Sequence, residues 1–179
     1  MSAQLKYDIK FFIIGMMGAG KSSVGLALSQ LIDVPFIDTD ELIGIDSYFD
    51  NHTMDEFRLE EENQINKIVK QSGSYVISVG GGAVLSEQNR EILAQHSCIF
   101  LRTQINTLIS RVRAQNVNRP LIKFINDKTI DTDSFRQLYH DRESYYLELA
   151  TFIIDTDKLD ILNVAKNINQ IMLDHEIIN

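Results

Sequence analysis

The 179-residue chain has one cysteine and only two prolines, Pro35 and Pro120. A single cysteine cannot close an internal disulfide. Cys98 stands in the apolar run Cys98-Ile99-Phe100-Leu101, which reads as a buried position with nothing beside it to activate a thiolate. No Cys/His spacing suits a metal, and His52, His96, His140 and His175 form no constellation. Positive charge is scarce. The 17 Lys and Arg against 25 Asp and Glu leave a net charge of −8, with a pI of about 4.9. That balance argues against nucleic-acid binding, which uses a basic face, and any site for anions must gather the few Arg and Lys available. No apolar stretch reaches membrane-spanning length. Residues 1–10 carry Lys and Asp ahead of a short apolar run, unlike a signal peptide, so a cytoplasmic protein with no membrane partner is expected. Repeats, low-complexity tracts and linkers are also missing, and a hydrophobic fraction of 44% fits one globular domain over residues 1–179, with monomer as the default state.

What is present is an alternation of strands and helices. Lys10-Phe11-Phe12-Ile13-Ile14 is a continuous apolar run ending at a glycine, the pattern of a strand buried on both faces of a parallel sheet. Further strands are expected at 34–38, 75–79, 98–101 and 152–155. Helices are expected at 22–31, 55–71, 87–95 (with Ser86 as N-cap), 105–113, 134–149 and 161–174. The stretch 115–118 is polar. Five apolar strands separated by helices imply an α/β fold, a parallel sheet sandwiched by helices. Ligands of such sheets sit at the carboxyl ends of the strands, and the chemically informative residues here all follow strands.

The first such segment is Gly15-Met16-Met17-Gly18-Ala19-Gly20-Lys21-Ser22, which matches G-x-x-x-x-G-K-[ST] between a strand and a helix. Its backbone N–H groups and the following helix N-terminus can cradle phosphates. Lys21 can reach the β- and γ-phosphates and the Ser22 hydroxyl can ligate Mg²⁺. The second is Asp38-Thr39-Asp40. In an extended segment both carboxylates would point the same way, one toward Mg²⁺ through water and the other toward the proton of an attacking hydroxyl; a turn or helix cap is the bland alternative. The third is Gly80-Gly81-Gly82, where the absence of side chains suits close approach of a ligand to the backbone. Arg58 and Arg142 lie on predicted helices, either as solvated arginines or as anion ligands. Arg119 follows the polar stretch and suits a charge stabiliser carried on a lid. The acidic run Glu60-Glu61-Glu62 reads as a solvated helix face, although Glu61 is placed to hold a neighbouring arginine.

Taken together, these motifs resemble the shikimate kinase family. The likeness runs from the phosphate loop through Phe36-Ile37-Asp38-Thr39-Asp40, Phe57-Arg58-Leu59-Glu60-Glu61, Gly80-Gly81-Gly82-Ala83-Val84, Arg119-Pro120-Leu121 and Arg142 to Ile154-Asp155-Thr156. It implies a single-domain P-loop kinase fold with a substrate-binding segment at about 40–65 and a lid at about 112–126. The implied reaction is transfer of phosphate from ATP, with Mg²⁺, to the 3-hydroxyl of shikimate, a step of aromatic amino acid biosynthesis. Gly15, Gly18, Ala19, Gly20, Lys21, Ser22 and Ser23 would hold the nucleotide. Ser22 and Asp38 would serve the metal, with Ser78 near it. Asp40 would be the base. Arg58, Arg142, Gly80, Gly81 and Gly82 would bind the acceptor, and Arg119 would meet the transferring phosphate. Arg111 or Arg113 would face the adenine, with Arg113 taken here, and the segment around Asp155 and Thr156 would form the other wall. The alternatives are a P-loop kinase of another small metabolite, such as gluconate or a nucleoside monophosphate, and an idle nucleotide-binding regulatory module. The sequence departs from the family pattern at three places. The stretch from Asp40 to Phe49 is several residues shorter, Thr53-Met54 replaces Gly-Glu, and Ser144 stands where Arg-x-Pro-x-Tyr has proline.

Overall fold

The computed structural model describes residues 8–115, 124–126 and 129–177. The first strand, β1 (Lys10–Ile14), is buried along its whole length. Its side chains alternate between two cores: Phe11 and Ile13 enter one, Phe12 and Ile14 the other. Four more strands join it: β2 (Phe36–Asp38), β3 (Tyr75–Ser78), β4 (Ser97–Arg102) and, numbered after the hairpin described below, β7 (Phe152–Asp155). They form one parallel sheet in the order β2-β3-β1-β4-β7.

Helices cover both faces, as a parallel sheet requires. On one face Val24 and Leu28 of α1 (Lys21–Ile32), Leu108 of α6 (Ile105–Gln115) and Val164 and Ile168 of α8 (Ile161–Asp174) pack on Phe11, Ile13 and Ile99. On the other, Ile65 and Ile68 of α4 (Met54–Val69), Leu93 of α5 (Glu87–Leu93) and Tyr146 of α7 (Thr132–Leu149) pack on Phe12, Ile77 and Phe100. Helix α1 lies so close to the sheet that a Cβ at Gly25 would stand 2.5 Å from the Phe36 ring.

Short helix α2 (Thr39–Ile43) answers to the helix-cap alternative at Asp38, and four short elements went unforeseen: α3 (Ile45–Tyr48), a 3₁₀ turn at Ala83–Leu85, and β5 (Phe124–Asn126) paired antiparallel with β6 (Thr129–Ile130). Each is too short to show a hydrophobic period. The departures noted in the sequence have local consequences. Thr53 caps α4 in a full capping box: its N–H donates to Glu56 Oε2 at 2.7 Å, and the Glu56 N–H donates to its hydroxyl at 3.3 Å. Ser144 lets α7 run unbroken, where a proline would remove a helical hydrogen bond. Among the described residues no helix is long and apolar enough to cross a membrane.

Candidate active site

Strand register carries Asp38, Ser78 and the end of β1 to one edge of the sheet: Asp38 pairs with Ser78, and Ser78 with Ile13. The phosphate loop leaves β1 at this edge. Its turn needs Gly15, whose φ is 143° and whose added Cβ would meet the Leu101 carbonyl oxygen at 2.9 Å. Helix α1 then begins at Gly20 with no side-chain cap and no acidic residue in its first turn. Most helices fill that position with a hydroxyl or carboxylate; here the positive end of the dipole is left to an external anion. Lys21 Nζ folds back to donate to the Met16 carbonyl at 3.3 Å, within the loop it would share with a phosphate. Ser22 and Ser23 are exposed.

The chain turns at Asp38 instead of staying extended. Asp38 Oδ1 accepts the Asp40 N–H at 2.9 Å and caps α2, so the extended reading of Asp38-Thr39-Asp40 fails and the helix-cap alternative describes Asp38. Asp40 nonetheless faces the glycine loop: a Cβ on Gly80 would lie 2.9 Å from Asp40 Oδ1 and would also strike Glu61 Oε1. The Thr39 hydroxyl accepts the Gly80 N–H at 3.2 Å, fastening this loop to the first residue of α2. Gly81 abuts the phosphate loop, its added Cβ standing 3.3 Å from both the Gly15 oxygen and the Met17 nitrogen. At Gly82 a Cβ would run into the Arg58 guanidinium. The three glycines therefore bring Asp40, Arg58 and the phosphate loop around one small space.

Two arginines enter that space from opposite helices. Arg58 of α4 pairs with Glu61 on the same helix, so Glu61 is buried and not a solvated face. Burial raises the Glu61 pKa and the Arg58 charge opposes it. Arg142 of α7 is only 1% exposed. Its Nη1 donates to the Gly81 carbonyl at 3.3 Å, and its buried Nε has no hydrogen-bond acceptor among the described residues. Burial lowers the Arg142 pKa; Tyr146 counters this and the nearby Arg58 charge adds to it. A buried N–H without an acceptor, beside a second guanidinium, is the arrangement a bound carboxylate would complete.

On the nucleotide side, Arg111 and not Arg113 reaches the phosphate loop. Arg111 Nη1 lies 3.5 Å from the Gly18 carbonyl, and Nη2 donates to the Thr156 carbonyl at 3.0 Å. Arg113, the residue taken from sequence for the adenine, is exposed. The two are two positions apart on α6 and so lie on different sides of the helix. The Asp155 carboxylate is held by Arg102 of the adjacent strand at 2.6 and 2.8 Å. Thr156, buried, is the member of that segment that meets Arg111. Arg119 lies outside the described residues. Among the described residues no group of three His, Cys, Asp or Glu is placed to hold a metal. Ser22, Asp38 and Ser78 are hard oxygen donors, which fits Mg²⁺ held by few protein ligands together with phosphates.

The residues given no role from sequence are Thr39 and Tyr146; Thr156 was named there with Asp155, and it is Thr156 that meets Arg111. Thr39 sits inside the aspartate pair, and Tyr146 follows Arg142 by one helical turn, a spacing that places both on one face.

Comparison with known proteins identifies the family. The family model described as shikimate kinase matches residues 17–173. A shikimate kinase of Chromobacterium violaceum is 34% identical over 180 residues, covering 96% of this chain and 95% of that protein. Among solved structures, shikimate kinase from Acinetobacter baumannii in complex with shikimate matches with a TM-score of 0.83 at 27% identity, covering 94% of each chain. Shikimate kinase from Bacteroides thetaiotaomicron matches with a TM-score of 0.79 at 26% identity, covering 92% of this chain and 98% of that one. The chain belongs to the shikimate kinase family of ATP-dependent kinases.

Proposed function

We propose that this protein transfers the γ-phosphoryl group of ATP to the 3-hydroxyl of shikimate, giving shikimate 3-phosphate and ADP, in the cytoplasm and as a monomer. The observation that carries the reading is the convergence of Asp40, Arg58 and Arg142 on a glycine loop that itself abuts the phosphate loop. The relative from Acinetobacter baumannii, solved in complex with shikimate, matches over nearly the whole chain.

In this reading Arg58 and Arg142 clamp the carboxylate of the acceptor. One carboxylate between two guanidiniums relieves their mutual repulsion and gives the buried Nε of Arg142 its acceptor. That anchor points the hydroxyls of the ring toward Asp40. The attacking 3-hydroxyl gives its proton to the Asp40 carboxylate as its oxygen bonds to the γ-phosphorus and the bond to the β-phosphate oxygen breaks. The backbone N–H groups of the phosphate loop and Lys21 hold the phosphates in line, and Arg119 completes their charge neutralisation. Arg111 and Thr156 border the adenosine end. Mg²⁺, held by Ser22 and through water by Asp38, would neutralise charge across the β- and γ-phosphates.

Coupled measurement of ADP release tests the reading. Release from Mg·ATP is expected to rise strongly on adding shikimate and to stay at its basal rate with gluconate or a nucleoside monophosphate. Stimulation by one of those acceptors in place of shikimate would overturn the assignment.

A further inference from the structure

We infer that Tyr146 is a positioning residue of the acceptor site: its hydroxyl fixes the Gly81 carbonyl, and with it the backbone of the Gly80-Gly81-Gly82 loop. The inference rests on the acceptor site proposed above.

A loop of three glycines has no side chains with which to anchor itself and has the largest backbone freedom of any such segment. What holds it is a small set of backbone contacts. The Gly80 N–H donates to Thr39 Oγ1 at 3.2 Å, and the Ala83 and Leu85 N–H groups donate to the Gly80 and Gly82 carbonyls at 3.0 Å. The Gly81 carbonyl is gripped from α7. Tyr146 donates to it at 2.5 Å, and Arg142 Nη1, one turn earlier on the same helix, at the longer 3.3 Å. Tyr146 has no exposed surface, and its ring stacks on Phe100 of β4 with centroids 5.2 Å apart, so the hydroxyl is aimed by the sheet itself. Burial pushes the phenol up to about 12, which keeps it a donor across the physiological range. The two donors have different fates on turnover. When Arg142 turns to an acceptor carboxylate it yields part of its hold on Gly81, and Tyr146 then keeps the loop in register with Asp40 and Arg58.

Tyr146→Phe removes the hydroxyl and leaves the ring stack. Tyr139→Phe is the control, since Tyr139 lies on the same helix and donates to Glu143 at 3.0 Å, away from the loop. In Tyr146→Phe the KM for shikimate is expected to rise about tenfold, the scale of one buried hydrogen bond, with kcat and the KM for ATP little changed. Amide exchange over residues 81–85 is expected to speed up while exchange in β1 and β4 stays as in the wild type. The control is expected to show neither effect. Unchanged loop exchange, faster exchange with an unchanged shikimate KM, or equal rises in both KM values with a lowered melting temperature would each overturn the inference. A wild-type protein idle with shikimate would instead refute the acceptor assignment, and the exchange comparison would still decide whether Tyr146 holds Gly81.

Discussion

Asp40→Asn lowers kcat by about 10²–10⁴-fold, the range for loss of a positioned general base. The affinity for ATP stays within about twofold, because the change removes an interaction with the acceptor and not with the nucleotide. The reason is positional. Asp40 sits in the first turn of α2 with its carboxylate against Gly80, whereas the nucleotide site proposed here is the loop from Gly15 to Ser22 and the start of α1. Asparagine keeps the shape and cannot take a proton. Single-turnover kinetics alongside equilibrium ATP binding separate the two effects. Near-normal turnover in Asp40→Asn would remove the base from the mechanism; a parallel loss of ATP binding would mean that α2 had moved.

Gly82→Ala raises the KM for the acceptor by about 10- to 100-fold, the scale for losing a hydrogen bond to a charged group. Gly82 has φ −101° and ψ −4°, which alanine adopts without strain. The added methyl instead occupies the space of the Arg58 guanidinium, the end of a flexible side chain that can swing away at small structural cost. The fold is therefore expected to survive while one half of the proposed carboxylate clamp is displaced. Steady-state kinetics in both substrates, with thermal unfolding as a control, check this. A rise confined to the KM for ATP, or an unchanged acceptor KM, would place Arg58 outside the acceptor site.

The sheet was legible because its signals are local. Each of the five strands is a short apolar run between turns, and the phosphate loop combines a motif with its strand–helix context. The acceptor half was legible only in part. Gly80-Gly81-Gly82 and the arginines could be picked out as residue types, but their meeting depends on contacts across the chain. Tyr146 and Gly81 are 65 positions apart, and no spacing pattern links a tyrosine to a backbone carbonyl. Choosing between Arg111 and Arg113 requires the rotational phase of α6 against Gly18, which packing sets. The turn at Asp38 was lost for a different reason: one side-chain hydrogen bond to the Asp40 N–H decides between strand and helix over three residues. The capping box at Thr53 was not singled out, although the Thr-x-x-Glu spacing is its signal, and the helix was expected from residue 55 instead.

The most direct test of the central claim is the identity of the product. Protein incubated with Mg·ATP and shikimate, followed by phosphorus–proton correlation NMR, should yield ADP and a single phosphomonoester whose phosphorus couples to the proton on carbon 3 of shikimate. ADP with inorganic phosphate alone, or a phosphoester on another hydroxyl, would contradict the account of how Asp40, Arg58 and Arg142 set the acceptor.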